Sequence, residues 1–599
     1  MMMRTNVTHR QIRFLAGLAA LVLAPRALPA ATPPGNAYLQ HNLVADQPGI
    51  ADFTDPNLVN PWGIYTSSGS PFWVNDAGTG LATVYSSNGA PSATKPTIPP
   101  SAKGVAPATA TGGIFNGTGG FLIQGKAPNF IFVTADGAIS GYVSSISTTL
   151  AQLAVDNSST GAAYYGLAVS ATTTSATPMI YAANFHSGGI DVFDTNFKPV
   201  TLPGTPFVDA AVPAGYAPFN IWNLGGQLYV MWAKQNAAKT FAVSGAGLGA
   251  VSIFNLNGGL VQHVATGGPL NAPWGVAIAP ATFGAFANDL LVGNFGDGTI
   301  NAFNPTTGAA LGALEDENGN TISISGLWGL ILGNGGSGGD ANAIYFTAGT
   351  GNELHGLLGS LQATPSATSV ANAAGGVTGI ASNAYISIFG ANLAPITRNW
   401  TNSDFSGTSL PTSLDGVSVT INGKPGFVYY ISPKQIDVLT PVDTATGTVP
   451  IVVTDNGLVS ASTTATMNAF SPAFFLLKDN LSVAAVHSSG AIVGATTLYA
   501  GASTPAAPGE TITIFGTGFG PTSPAITNGA IVAAPLAVVT APTVTIGGAA
   551  ATVVYAGLVS AGVYQLDVIV PPATAAGNAA IVAQVGGLSS SATAIVTVN

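Results

Sequence analysis

At 599 residues the chain exceeds the ~250–300 residues at which a single hydrophobic core stops growing, so two or more domains are expected. Charged residues make up 6%, against roughly 25% in an ordinary soluble domain, and the 14 Lys plus Arg of this net −10 chain form no basic stripe, which argues against nucleic acid as a partner. The absence of cysteine excludes disulfides, thiolate metal sites and cysteine nucleophiles, while 76 Gly and 40 Pro favour strands joined by tight turns.

In chain order, Arg4, His9, Arg10 and Arg13 precede an apolar run from Phe14 to Ala24, and Leu28-Pro29-Ala30 offers a small residue for cleavage. The run falls short of the ~20 residues that span a bilayer. Residues 1–30 are therefore expected to be a signal peptide rather than an uncleaved anchor. The expected location is secreted, periplasmic or cell-surface, with no transmembrane anchor in the mature chain.

An aromatic–small–aliphatic signature then recurs: Trp62-Gly63-Ile64, Tyr165-Gly166-Leu167, Phe219-Asn220-Ile221, Trp274-Gly275-Val276 and Trp328-Gly329-Leu330. The aromatic positions lie 103, 54, 55 and 54 apart. The first step is close to two periods, and Gly113-Ile114-Phe115 near its midpoint reads as a degenerate copy. Behind the signature, Phe72 to Asn75, Ile180 to Asn184 and Leu290 to Asn294 each read as a buried strand followed by a Gly-rich turn and an alternating strand. Six units of about 50–55 residues match four-stranded propeller blades, whose faces are covered only by their neighbours. The spacing predicts a six-bladed β-propeller over 31–361 and a Thr/Ser/Ala-rich linker over 362–370.

Beyond it, Ile386-Ser387-Ile388-Phe389-Gly390 matches Ile512-Thr513-Ile514-Phe515-Gly516, and Gln435-Ile436-Asp437-Val438 matches Gln565-Leu566-Asp567-Val568. Short alternating strands with frequent turn signals predict two immunoglobulin-like β-sandwiches, over 371–468 and 469–599. The expected fold class is all-β: a six-bladed β-propeller followed by two sandwiches.

The segments Asn60-Pro61-Trp62-Gly63-Ile64, Ala272-Pro273-Trp274-Gly275-Val276 and Gly326-Leu327-Trp328-Gly329-Leu330 resemble an uncharacterised family of secreted bacterial proteins with an NHL- or SMP-30-like propeller. Residues 365–599 resemble tandem IPT/TIG-type modules. The resemblance implies the fold and export. SMP-30-like relatives further imply a lactonase holding a divalent cation in the propeller channel with carboxylate, Asn and carbonyl oxygens, so Ca²⁺ is the cofactor to consider.

On that resemblance Asn75, Asn184 and Asn294 form the candidate ligand-binding ring, with Asp76, His186 and Asp297 within three positions. The same Asn residues read first as caps of hairpin turns, because Asn close to Gly is first a turn signal. No blade start carries the Glu that a lactonase cation would need. His41 and Asp46, with Asp52 and Asp55, are the acid–base candidates; they read also as a polar strand closing the ring. Glu315 to Asn320, the only acidic run, has its glycine misplaced for an EF-hand, and Ser337 lies in a Gly-x-Ser-x-Gly match without the strand and helix of a nucleophile elbow. Trp62, Trp274 and Trp328 are expected to pack between blades, or to stack on a sugar if exposed at the channel mouth. His263, His355 and His487 stand isolated in the sequence.

Two functions follow. The first is an extracytoplasmic binding or scaffold protein, with a small molecule, glycan or protein at the propeller face and the sandwiches as spacer or adhesion units. The second is a divalent-metal-dependent, lactonase-like hydrolase with its site in the channel. These residues leave open whether the protein is an enzyme.

Overall fold

The computed structural model describes residues 35–171 and 177–599; the expected signal peptide lies outside the described residues. Residues 36–363 form one compact unit, and 364–599 belong to a second.

Six sheets make up the first unit, antiparallel except where the short strand Phe53–Thr54 pairs parallel with Tyr38–Ala45. Blade 1 begins with the inner strand Pro61–Tyr65, blade 2 with Ala110–Phe115, blade 3 with Tyr164–Val169, blade 4 with Tyr216–Leu224, blade 5 with Pro273–Ile278 and blade 6 with Leu327–Leu332. Each inner strand neighbours that of the next blade, and the sixth neighbours the first, so the ring is closed. Closure is completed by Tyr38–Ala45, which pairs antiparallel with Leu357–Ala363 and becomes the outermost long strand of blade 6. Apolar clusters lie between successive blades, for example Trp73 and Val84 of blade 1 against Phe130 and Phe132 of blade 2. Each sheet thus hides both faces only against its sisters.

The repeated signature works through a β-bulge at the same place in every blade. In blade 3 Tyr164 faces Asn184 and Gly166 faces Ala183, leaving Tyr165 without a partner. Phe219 and Trp274 are skipped in the same way, while Trp62-Gly63 and Trp328-Gly329 each oppose a single residue. A bulge re-aims the side chain of the extra residue, and here it turns the aromatic toward the ring axis. In five of the six blades the residue after it is glycine, with Asn220 in blade 4. A Cβ on Gly275 would lie 2.6 Å from the Trp328 carbonyl oxygen of the next blade, and one on Gly329 would lie 2.8 Å from that of Trp62.

This register corrects two expectations. In blade 2 the bulge falls on Thr111-Gly112, between the pairs Ala110–Thr134 and Gly113–Phe132, so the degenerate copy is Thr111-Gly112-Gly113 rather than Gly113-Ile114-Phe115. In blade 1 Pro61 faces Asp76, as Tyr164 faces Asn184 and Pro273 faces Asn294. Asp76, not Asn75, is therefore the equivalent of Asn184 and Asn294.

The linker expected over 362–370 is also corrected. Leu357–Ala363 is a blade strand and Ser366–Asn372 opens the first sandwich. In that sandwich a sheet built on Tyr385–Ala391, Gln435–Leu439 and Phe427–Ile431 faces one built on Val417–Ile421, Gly447–Asp455 and Thr463–Asn468. Between them lies a core of Ile386, Ile388, Ile436 and Val438 against Val449, Ile451 and Val453. The second sandwich repeats the plan with Thr511–Thr517, Val563–Ile569 and Ala549–Ser560.

The two sandwiches are continuous with each other. Tyr385, Tyr429 and Leu439 of the first share an apolar cluster with Phe475, Phe515 and Val563 of the second. Leu410 N–H donates to the Gly529 carbonyl at 2.8 Å, and Ile531 N–H donates to that of Thr408 at 3.0 Å. One sheet of the first sandwich is consequently buried on both faces.

Among the described residues no helix is long and apolar enough to cross a membrane.

Candidate ligand site at the propeller axis

Five of the six bulged positions carry an aromatic ring, and these rings meet at the axis. Trp62 stacks on Trp328 with ring centres 3.5 Å apart, Trp274 stands edge-on to Trp62 at 6.0 Å, and Tyr165 and Phe219 complete the layer at 5.5 and 6.4 Å from Trp62. The expectation of packing between blades is refined accordingly: these rings pack on one another at the centre. Trp62, Trp274 and Trp328 are buried, which removes them from direct sugar stacking. The indole N–H groups of Trp62 and Trp274 have no hydrogen-bond partner among the described residues.

Above this layer sit residues from the connections between the second and third strands of blades 4 and 5. Phe295 stacks on Trp328 at 4.1 Å, and Phe241 stands edge-on to Phe295 at 5.6 Å. Both are partly exposed. The Phe241 loop is tied down where the Tyr165 hydroxyl donates to the Thr240 carbonyl and Gln235 Nε2 donates to that of Phe185.

One carboxylate joins the rim. Glu353 accepts a hydrogen bond from Asn60 Nδ2 at 2.9 Å, and Asn60 Oδ1 accepts one from Trp328 Nε1 at 3.1 Å. Burial pushes the Glu353 carboxyl above its ordinary value, with the Asn60 bond opposing. Burial, then the nearby Glu353 charge, raises the Tyr165 phenol. The segment bearing Glu353 is strained: Gly351, Asn352 and Glu353 have φ of 60°, 57° and 66°, and Asn60 has 46°. Left-handed backbone is unfavourable for non-glycine residues and persists where the surroundings hold it.

The candidate ring resolves into separate turns and clamps. Asn75 Nδ2 donates to the carbonyls of Thr111 and Gly112 in the next blade, at 3.2 and 2.8 Å. Asn184 Oδ1 accepts the Ala163 and Ser187 N–H groups, and its Nδ2 donates to Asp191. Asn294 accepts from the Asn271 N–H and donates to Pro269, Asp297 and Thr299. Asp297 is exposed, receiving Thr299 on one oxygen and Asn271 on the other. His186 is half-buried beside Gly161. Asp76 is fully buried; one oxygen accepts the Thr83 hydroxyl at 2.7 Å and the other has no partner among the described residues. Burial holds its carboxyl well above the usual range, against the Thr83 bonds, with Asp55 adding to the rise.

These oxygens do not fit a shared cation. Most are already engaged by neighbours, and among the described residues no group of three or more His, Asp or Glu is placed to hold a metal ion.

His41 and Asp46 do not pair with each other. His41 meets Asp52 at 2.9 Å, with both half exposed, and Asp46 meets His355 at 2.8 Å. The histidines that stand isolated in the sequence are corrected in turn: His263 pairs with Asp209 at 2.7 Å and His487 with Glu510 at 2.6 Å. The Glu315–Asn320 run is a turn in which Asp316 Oδ1 accepts the Asn318 and Asn320 N–H groups. Sequence reasoning missed Glu353, Asn60 and Phe241. The available signal was an Asn-Pro step before Trp62 and a lone carboxylate at the end of Gly349-Thr350-Gly351-Asn352-Glu353, in a chain with few charges.

The IPT/TIG domain model matches residues 499–597. Two uncharacterised proteins of Acanthamoeba polyphaga mimivirus are 34% and 33% identical over 332 and 330 residues, each covering 53% of this chain, and 78% and 84% of their own lengths. Among solved structures, virginiamycin B lyase from Staphylococcus aureus covers 54% of this chain and 98% of its own, with 11% identity and a TM-score of 0.32, a likeness that bears on no residue here. The expected bacterial family is thereby corrected, since these relatives are viral. The chain belongs to the family of these two mimivirus proteins.

Proposed function

We propose that the protein is an extracytoplasmic binding or scaffold protein whose recognition surface is the mouth of the propeller axis, with the tandem sandwiches acting as one continuous spacer. The observation that carries this reading is the partly exposed pair Phe241 and Phe295, seated on a buried aromatic layer and bordered by Glu353. A firm apolar floor with few polar groups is the usual composition of a small-molecule site. Export is supported by the basic and apolar character of residues 4–24. N-terminal sequencing of protein recovered outside the cytoplasm is expected to begin near Ala31, and an intact Met1 there would overturn that part.

The test of the binding reading is ligand-detected saturation-transfer NMR on the full chain with a library of small molecules and glycans. Bound compounds should lose their signal in a Phe241→Ala/Phe295→Ala variant of unchanged melting temperature. Metal-dependent lactone hydrolysis, together with a melting temperature raised by Ca²⁺, Mg²⁺, Mn²⁺ or Zn²⁺, would overturn it in favour of the hydrolase.

A further inference from the structure

The Glu353 carboxylate is an unusual group for its place. It is partly withdrawn from water at the rim of an aromatic cluster, yet no Lys, Arg or His among the described residues forms an ion pair with it. Among the described residues its one side-chain hydrogen bond comes from Asn60, a neutral donor at 2.9 Å. Desolvating a carboxylate without a counter-charge is unfavourable, and the left-handed run 351–353 adds backbone strain.

The rings around it give the arrangement a direction. Trp328, tied to Glu353 through Asn60, stacks on Phe295, while Tyr165, close enough to feel the Glu353 charge, stands 6.3 Å from Phe241. Aromatic faces attract cations through their quadrupole, and a carboxylate attracts them by charge. Trp62 and Trp274, buried to 1% and 2% exposure, form the apolar floor of the same cluster, with Phe241 and Phe295 packed against it.

We propose that the axis mouth is a binding site for an organic ammonium group, held between the Glu353 carboxylate and the faces of Phe241 and Phe295. This rests on the reading of the mouth as a recognition surface and names the ligand chemistry. Phe241 is one wall of the site: its loop, residues 235–242, is fastened at Gln235 and Thr240.

The test titrates the full chain with tetramethylammonium chloride, followed by tryptophan fluorescence and NMR. Neopentyl alcohol serves as the neutral probe of matching shape, and sodium chloride as the ionic-strength control. Saturable binding of tetramethylammonium at least tenfold tighter than the alcohol is expected. Glu353→Gln should remove that preference, Glu353→Asp should retain part of it, and Phe241→Ala should weaken binding severalfold, with all melting temperatures near that of the parent. Equal binding of both probes, or a preference unchanged in Glu353→Gln, would overturn the ammonium assignment while leaving the mouth as a site. Binding of neither probe, with the parent protein folded, would overturn the assignment. Failure of the whole library in the NMR screen is the separate result that would remove the mouth itself.

Discussion

The propeller and the paired sandwiches are both built by repetition, but they use it differently. In the propeller the backbone device is kept and the side chains at one position change. The bulge recurs in all six blades, whereas the residue facing the position just before the bulge is Asp76, Thr134, Asn184, Trp232, Asn294 or Ala348. In the sandwiches the side chains are kept and their surroundings change. Ser387 and Gln435 both donate to Asp437, and Thr513 and Gln565 both donate to Asp567. Asp437 is buried in the sheet that packs against the second sandwich, while Asp567 is only half-buried. Burial raises Asp437 to about 6, opposed by its Ser387 and Gln435 bonds. Repetition secures the fold; chemistry arises where copies differ in residue or environment.

The propeller's shared device is most vulnerable at the ring-closing glycines. Gly275→Ala would press its Cβ to 2.6 Å from a backbone oxygen of the next blade. A loss of about 3 kcal/mol or more, or failure to fold, is expected by chemical denaturation. Gly188→Ala, in open space at φ 80°, should by contrast cost only about 1 kcal/mol from backbone strain. Trp62→Ala, which empties the centre of the aromatic layer, should destabilise by about 3–5 kcal/mol in the same measurement.

The sandwiches carry a pH effect. The Asp437 carboxyl titrates near its ordinary value when unfolded and at about 6 when folded, so the folded state binds the proton more tightly between those values. Stability from this group is fully present below the unfolded value and falls as pH rises to about 6, by roughly 2–3 kcal/mol. Asp437→Asn should flatten that slope in urea denaturation from pH 4 to 7, and Asp567→Asn should leave it in place. The smallest effect is expected at Asp297. Its carboxylate caps an exposed turn, and Asp297→Ala should cost no more than about 1 kcal/mol.

The fold is legible in the sequence because its aromatic–glycine period is written in side chains that the axis and the ring closure both require. What escapes is geometry that spacing does not encode. A bulge sets two residues against one, which displaces the copy in blade 2 and misaligns Asn75 by one place. The Asp46–His355 pair joins residues 309 apart through a closure strand. Glu353 acquires its character from burial and from Asn60, itself held by Trp328, neither residue near it in sequence. The sandwich motifs are visible as matching strings, but only the pairing of Ser387 with Asp437 and Thr513 with Asp567 shows that they are cross-strand partners.

A crystal structure of the full chain soaked with tetramethylammonium would locate the bound cation outright. Density over Phe241 and Phe295 beside the Glu353 carboxylate is the predicted result. An ordered cation on the outer blade edges or the sandwiches, with the axis mouth bare, would contradict it.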